Sequence, residues 1–346
     1  MSRSLQTAAV IGGGAWGTAL AAQLAAQGQQ VRLWVFEDEL VEWIHSRGEN
    51  PLYLPGVRLP EAVRATSDLG EALEGASLVL SVVPTQFSRK VLEQARPLIP
   101  AGCPVVLANK GLEEGTLTLP IDLAAEALGA KENLAVLSGP SFAGEVSRGQ
   151  PAALVVAAER ESLARSVQER ISSSRLRLYT NTDPVGVQVA GALKNVIAIA
   201  AGVSDGLKLG LNTRAAVITR GLTEITRMGM ALGGRMETFS GLAGLGDMVL
   251  TCTGPSSRNR AVGLALGPGR RLADILAGTR SVAEGVSTAR SARELAARLG
   301  VEAPIAEEVS RILFEDGSTL DALKRLMARP LTAESSSPGK EETIHG

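Results

Sequence analysis

Histidine and cysteine are scarce, with two of each in 346 residues. His45 lies in a charged early helical stretch and His345 in a polar C-terminal one, so neither is placed as the acid or base that many hydroxy-acid dehydrogenases take from histidine. Cys103 and Cys252 form no Cys-x-x-Cys pair and have no histidine cluster beside them. That excludes a disulfide framework and a zinc site, leaves no metal centre to expect, and points to a reducing, cytoplasmic setting. Net charge is lacking too: 35 Lys plus Arg stand against 36 Asp plus Glu, for a balance of −1. No broad field draws nucleic acid or an anionic membrane surface, so any anion must be bound locally.

An export signal and a membrane span are not expected either. The apolar run at residues 8–11 is cut off at once by three glycines, unlike the core of a secretory signal. The most membrane-like stretch, residues 185–204, carries Lys194 and Asn195 at its centre and has no flanking basic residues or aromatic anchors. It reads as a buried helix of a helical domain.

What the chain has is apolar content, 45%, in a length that exceeds the usual limit of a single core. Residues 7–11 and 31–35 read as short buried strands, separated by an Ala-rich helical stretch at 15–27 that ends at Gly28: one right-handed βαβ unit. Further strand-like runs follow at 77–83, 105–108, 135–137, 152–156 and 175–179. After Asp183-Pro184, long Ala/Leu/Ile-rich stretches with 3.6-residue periodicity replace them. The expected fold class is α/β. A Rossmann-type, doubly wound sheet, parallel at least in its first strands, spans residues 1–181, and an all-α substrate and catalytic domain spans 182–329. A Ser/Pro/Glu/Lys-rich tail at 330–346 has too few large apolar side chains to offset ordering entropy.

Gly12-Gly13-Gly14-Ala15-Trp16-Gly17 matches G-x-G-x-x-G directly after a strand and at the start of a helix. There, backbone N–H groups and the helix dipole can receive a pyrophosphate. In a chain with 38 glycines the pattern alone is weak, and the flanking βαβ unit gives it weight. At the end of the second strand, where an acidic side chain favours the free ribose hydroxyl of NAD and a basic one the phosphate of NADP, stand Phe36, Glu37 and Asp38. The chemistry there leans towards NAD or dual use; alternatively, these residues simply open the next helix.

Lys194 shares its helical face with Val187, Ala190, Gly191, Ile197, Ala198 and Ala201, all apolar or small. Desolvation there lowers a lysine pKa from ~10.4 towards the range of proton exchange, unless the side chain snorkels out or pairs with a carboxylate. Asp247, at the end of Gly241-Leu242-Ala243-Gly244-Leu245-Gly246, is a candidate to balance it or to hold a substrate hydroxyl. The segment from Thr251 to Arg260 reads as a glycine/proline turn entering a helix through serines, beside Arg258 or Arg260. That is either a phosphate site or an ordinary capped helix with surface arginines.

Together these blocks resemble the bacterial-type NAD(P)-dependent glycerol-3-phosphate dehydrogenases. The matching segments are the glycine turn, Asn50-Pro51-Leu52-Tyr53-Leu54-Pro55-Gly56, Asn109-Lys110-Gly111, Gly139-Pro140-Ser141-Phe142-Ala143-Gly144, Gly191-Ala192-Leu193-Lys194-Asn195, Asn212-Thr213-Arg214-Ala215, the run ending at Asp247, and Ser257-Arg258-Asn259, all in family order. The resemblance implies reversible reduction of dihydroxyacetone phosphate to sn-glycerol 3-phosphate with NAD or NADP, feeding phospholipid synthesis. It implies Lys194 as the proton acceptor in oxidation, with Lys110, Gly139, Ser141, Asp247, Ser257, Arg258 and Asn259 also at the substrate. At the cofactor it implies Gly12, Gly14, Ala15, Trp16, Gly17, Lys110, Ala143, Arg258, Val282 and Glu284. The chain departs from the family pattern at Ala15, often a hydroxyl residue, and at Phe36, often basic or polar, which leaves the choice of cofactor open.

A homodimer, paired through the Ala-rich helical domain, is expected. Two other readings remain: a related lysine-dependent dehydrogenase acting on another small hydroxy or keto acid, and a redox sensor without turnover. Ser257-Arg258-Asn259 favours a small phosphate ester over the first, and a sensor has no need of Lys194 on an apolar face.

Overall fold

The computed structural model describes residues 6–277, 283–331, 333 and 334. Its strands are β1 (Thr7–Ile11), β2 (Gln30–Trp34), β3 (Glu49–Asn50), β4 (Leu54–Arg58), β5 (Val63–Thr66), β6 (Leu78–Ser81), β7 (Val105–Leu107), β8 (Leu134–Ser138), β9 (Ala152–Ala157) and β10 (Leu176–Asn181). All but β3 and β4, which pair with each other, form one sheet in the order β10-β9-β8-β7-β6-β1-β2-β5. Neighbours run parallel except β8 and β9, which are antiparallel. β1 has β2 on one side and β6 on the other, so the chain reverses its winding there. Such a reversal is where sheets of this kind usually take a ligand, beyond the carboxyl ends of the strands.

The helices of this half are α1 (Ala15–Ala26), α2 (Asp38–Arg47), α3 (Leu69–Leu73), α4 (Thr85–Ala95), α5 (Pro120–Leu128), α6 (Ala143–Ser147) and α7 (Glu161–Ile171). They cover both faces of the sheet, and β1 shows why: Ala8 and Val10 enter one core with Leu20 and Leu24 of α1. Ala9 and Ile11 enter the other with Leu92 of α4 and Leu123 of α5. With apolar residues needed on both sides of the pleat, central strands such as β1, β6, β7 and β8 read as nearly unbroken apolar runs.

Beyond Asn181 no strand occurs among the described residues. The helical half comprises α8 (Pro184–Gly206), α9 (Gly210–Ala231), α10 (Met236–Phe239), a single π-type turn (Leu242–Gly246), α11 (Asp247–Thr253), α12 (Arg258–Leu266), α13 (Leu272–Ala277), α14 (Glu284–Leu299), α15 (Pro304–Phe314) and α16 (Thr319–Met327). α8 begins where its sequence says it should: Asp183 caps it, accepting from the Gly186 N–H at 2.8 Å, and Pro184 takes the first position. By length and composition this helix passes the test for a membrane span, yet its most apolar window is 89% buried within the protein. α12 lies against it backbone to backbone. A Cβ on Gly202 would collide with the Arg260 carbonyl, and one on Gly263 with the Ile199 carbonyl.

One expected boundary shifts, and two features were not foreseen. Residues 49–66 hold β3, β4 and β5, which apolar periodicity does not announce: the pairs are short, polar and interrupted by Pro55 and Gly56. β2 ends at Trp34, so Val35 is buried but already in a loop. The antiparallel β9 was not anticipated. The expectation for the tail falls largely outside the described residues, and that for Val282 wholly so.

Candidate active site

The glycine turn shows a division of labour. Gly12 has φ +117°, and a Cβ there would meet the Val82 carbonyl carbon at 2.9 Å; one on Gly17 would collide with the Gly12 carbonyl. These two let the turn fold tightly between β1, β6 and α1. Gly14 is different: a Cβ there meets nothing within 4 Å. The space at the N-terminus of α1 is open, so ligand atoms can reach the backbone N–H groups and the positive end of the helix dipole. The residues present therefore fit a dinucleotide pyrophosphate.

Asn50 holds the turn from behind, its Nδ2 donating to the Gly13 carbonyl and to Thr18 Oγ1, both at 2.8 Å. Ala15 opens α1 and has only its backbone to offer. Trp16 and Ala143 pack together on the small cluster of Ala19, Leu54 and Val57.

In a second group of residues one carboxylate serves two lysines. Lys194, on α8, donates to Asp247 Oδ1 at 2.5 Å and to Thr251 Oγ1 at 2.6 Å. Lys110, in the loop after β7, donates to Asp247 Oδ2 at 2.6 Å and to the Gly139 carbonyl at 3.4 Å. That carbonyl also accepts from Ser141 Oγ at 3.0 Å. The side chains of Asp247, Lys194 and Lys110 are 1%, 6% and 16% exposed, so the cluster is dry and opens to solvent on the Lys110 side.

Two ammoniums against one carboxylate leave an excess positive charge in a poorly solvated place, which favours an incoming anion. Burial pushes the Lys194 pKa down to about 8, helped by Lys110 and opposed by Asp247. Burial would raise the Asp247 carboxyl, but Lys110 and Lys194 outweigh it and hold it below the usual carboxylate range. Near neutral pH Asp247 is therefore ionised, and Lys194, still mostly charged, is poised to exchange its proton.

The loop carrying Lys110 is itself clamped by α4. Gln86 Nε2 donates to the Leu112 carbonyl at 3.0 Å and its Oε1 accepts from the Glu114 N–H at 2.9 Å, while Arg89 forks onto Glu113 at 2.7 and 2.8 Å.

Ser257 is the N-cap of α12, accepting from the Arg260 N–H at 3.2 Å. Asn259 Oδ1 accepts from the Gly285 N–H at 3.0 Å and so ties α12 to the start of α14, where Glu284 stands. Burial raises the Glu284 carboxyl, opposed by the charges of Arg258, Lys110 and Lys194. Of the two arginines considered from sequence, Arg260 is committed elsewhere: it forks onto Asp205 at 2.6 and 2.9 Å, a carboxylate that Arg214 shares. Arg258, exposed at the first position of α12, is the one available to a ligand.

Of the expected residues, then, Lys110, Gly139, Ser141, Lys194 and Asp247 form one cluster, with Ser257, Arg258, Asn259 and Glu284 on neighbouring helices. Gly12, Gly14, Ala15, Trp16, Gly17 and Ala143 form a second group around the turn. Thr251 was missed, although its position one helical turn after Asp247 was a usable signal. Asn50, Thr18 and Gln86 act across long sequence separations and left no local sign of their roles.

Two family models match the chain, described as NAD-dependent glycerol-3-phosphate dehydrogenase N-terminus over residues 7–164 and C-terminus over residues 183–324. The curated NAD(P)+ glycerol-3-phosphate dehydrogenase of Geobacter sp. (strain M21) is 51% identical over 328 residues, covering 94% of this chain and 98% of that protein. Its counterpart from Myxococcus xanthus is 50% identical over 327 residues, with the same coverage. Among solved structures, the glycerol-3-phosphate dehydrogenase of Coxiella burnetii is 42% identical with a TM-score of 0.89, covering 94% of this chain and 99% of that one. A ketopantoate reductase family structure from Ralstonia eutropha, 16% identical with a TM-score of 0.59 over 93% of this chain and 100% of its own, shares the fold.

Proposed function

The chain belongs to the NAD-dependent glycerol-3-phosphate dehydrogenase family, and from that premise we propose how its own side chains run the reaction. It is an NAD(P)-dependent oxidoreductase that interconverts dihydroxyacetone phosphate and sn-glycerol 3-phosphate. The observation that carries the mechanism is the single Asp247 carboxylate shared by Lys194 and Lys110.

A nicotinamide held by the glycine turn would supply or accept the hydride at carbon 2. Lys194 handles the proton at the oxygen of that carbon: its ammonium stabilises and protonates the developing alkoxide in reduction, and the neutral amine takes the hydroxyl proton in oxidation. Asp247 and Thr251 orient the amine, and Asp247 keeps it charged near neutral pH. Lys110, the more open of the two lysines, adds positive charge for the substrate, alongside Gly139 and Ser141. The excess charge of this cluster together with Arg258, Ser257 and Asn259 receives the phosphate ester. A dinucleotide would be held by the turn that Gly12 and Gly17 shape, its pyrophosphate at the open side of Gly14 and the backbone of Ala15, with Trp16, Lys110, Ala143, Arg258 and Glu284 as its further contacts.

The product feeds phospholipid synthesis, the enzyme works in the cytoplasm, and two copies pair through the helical half. Two free buried thiols, Cys103 and Cys252, agree with a reducing compartment. Exposed Leu211 and Met236 on helices of that half offer apolar surface for pairing. Among lysine-dependent dehydrogenases on other keto acids, the likeness extends to the fold alone.

The test is an absorbance assay of NADH and NADPH oxidation with dihydroxyacetone phosphate and with unphosphorylated dihydroxyacetone. The phosphorylated ketone is expected to react with the higher kcat/KM by about a hundredfold or more, since charge-assisted phosphate contacts are each worth ~1.5–3 kcal/mol. Equal rates on the two ketones exclude the phosphate site.

A further inference from the structure

β2 delivers Phe36, Glu37 and Asp38 to the edge of the glycine turn, and the structure gives each a separate part. Asp38 and Glu39 stand in the first turn of α2, where their charge complements the helix dipole. Glu37 occupies the N-cap position, yet its carboxylate makes no capping bond; it accepts instead from Tyr53 Oη at 2.7 Å. The Tyr53 backbone N–H donates to Asn50 Oδ1 at 3.0 Å, and Asn50 Nδ2 donates to the Gly13 carbonyl at 2.8 Å. A strap of residues 50–53 thus joins the pyrophosphate turn directly to the Glu37 carboxylate. Phe36, 81% exposed, brings no cation to this place.

We propose that Glu37, its carboxylate oriented by Tyr53, reads the adenosine ribose and makes this chain select NAD(H) over NADP(H). An ionised carboxylate has several acceptor positions, so one that takes the Tyr53 hydroxyl can still accept from a ribose hydroxyl. A 2′-phosphate in the same position sets two anions against each other, with no basic side chain at positions 36–38 to balance them. The strap matters because it couples the two halves of the recognition: the anchor that holds the pyrophosphate turn also fixes the height and direction of Glu37. Glu37 is the specificity-determining group and Tyr53 its positioning residue.

The inference rests on the dehydrogenase reading above but is tested apart from it, by calorimetric titration of the full chain with ADP-ribose and 2′-phospho-ADP-ribose. ADP-ribose is expected to bind at least about tenfold more tightly. Glu37→Gln should bring the two within about threefold, and Tyr53→Phe should narrow the ratio in the same direction; a purely structural role for Tyr53 would weaken both ligands alike. Equal binding by the unmodified chain, or an unchanged ratio in Glu37→Gln, overturns the proposal. Turnover of dihydroxyacetone phosphate is measured alongside with NADH and NADPH. Equal kcat/KM for the two cofactors overturns the ribose reader and leaves the dehydrogenase standing, whereas discrimination between the ribose probes without turnover supports the reader and removes the substrate.

Discussion

The Lys194 ammonium lies 2.5 Å from the Asp247 carboxylate, although 53 residues separate them in the chain. Lys194 comes from the middle of the buried helix α8; Asp247 comes from the first position of α11, immediately after a π-type turn. Such turns interrupt the regular ladder and re-aim the residues that follow them. The Asp247 side chain points inward, where its second oxygen also meets Lys110. The result is a lysine that burial pushes down to about 8 while its counter-charge prevents complete loss of the proton.

Asp247→Asn leaves burial and Lys110 to act on Lys194 unopposed, and both lower its proton affinity. Ketone reduction needs the ammonium, so its rate falls as pH rises through the Lys194 pKa. In this variant the basic limb of the kcat profile should move down by about one pH unit or more, with kcat at neutral pH falling about twofold or more. A basic limb that stays in place would show that Asp247 does not govern the charge of Lys194.

The glycines of the turn should separate stability from binding. Gly17→Ala drives a methyl group into the Gly12 carbonyl and should cost about 2 kcal/mol, lowering Tm by roughly 4 °C. Gly14→Ala points its methyl into open space, so Tm should hold while the dinucleotide Kd rises about tenfold or more. Scanning calorimetry and NADH titration of both variants decide the matter; identical behaviour of the two would contradict this division.

Arg258 and Arg260, two residues apart, should behave in opposite ways. Arg258→Ala removes an exposed cation and should raise the KM for dihydroxyacetone phosphate about tenfold or more at unchanged Tm. Arg260→Ala strips Asp205 of its main partner and should lower stability by roughly 1–3 kcal/mol, with KM within about twofold. A KM effect as large for Arg260 as for Arg258 would argue against the assignment.

Much of this was legible in the chain, for identifiable reasons. Strands buried on both faces leave short unbroken apolar runs, which made β1 and β6 to β9 visible, while β2 and β10 showed as alternating ones. The same property hid the reversal of β9, because an apolar run has no direction. Lys194 was conspicuous as a charge on a greasy face, and Asp247 as a carboxylate ending a glycine-rich run. The choice between Arg258 and Arg260 was not legible, since it turns on Asp205, 55 residues from Arg260. The strap from Gly13 through Asn50 and Tyr53 to Glu37 likewise depends on contacts between β3, the loop after it and α2, a region whose polar strands carry no periodic signal.

A second buried carboxylate bears on stability instead of chemistry. Glu224, on α9, accepts from the N–H groups of Ile305 and Ala306 at 2.8 and 3.2 Å and so caps α15. Burial pushes its pKa from 4.5 up to about 7, against those bonds and the charges of Arg329 and Arg227. A folded-state value above the unfolded one means a contribution that is full at pH values below the unfolded pKa and is lost as pH rises through the folded one. Between pH 5 and 8 the loss should approach roughly 3 kcal/mol. Tm should therefore fall more steeply over that window in the unmodified chain than in Glu224→Gln, which cannot ionise; parallel curves would contradict the assignment.

The most direct test of the central claim is the kcat of Lys194→Met for dihydroxyacetone phosphate, measured beside its NADH Kd. Removing both proton transfer and alkoxide stabilisation should lower kcat by a factor of about a thousand or more, with Kd for NADH changed less than about threefold. A variant that turns over within about tenfold of the unmodified enzyme while binding NADH normally would show that the proton comes from elsewhere.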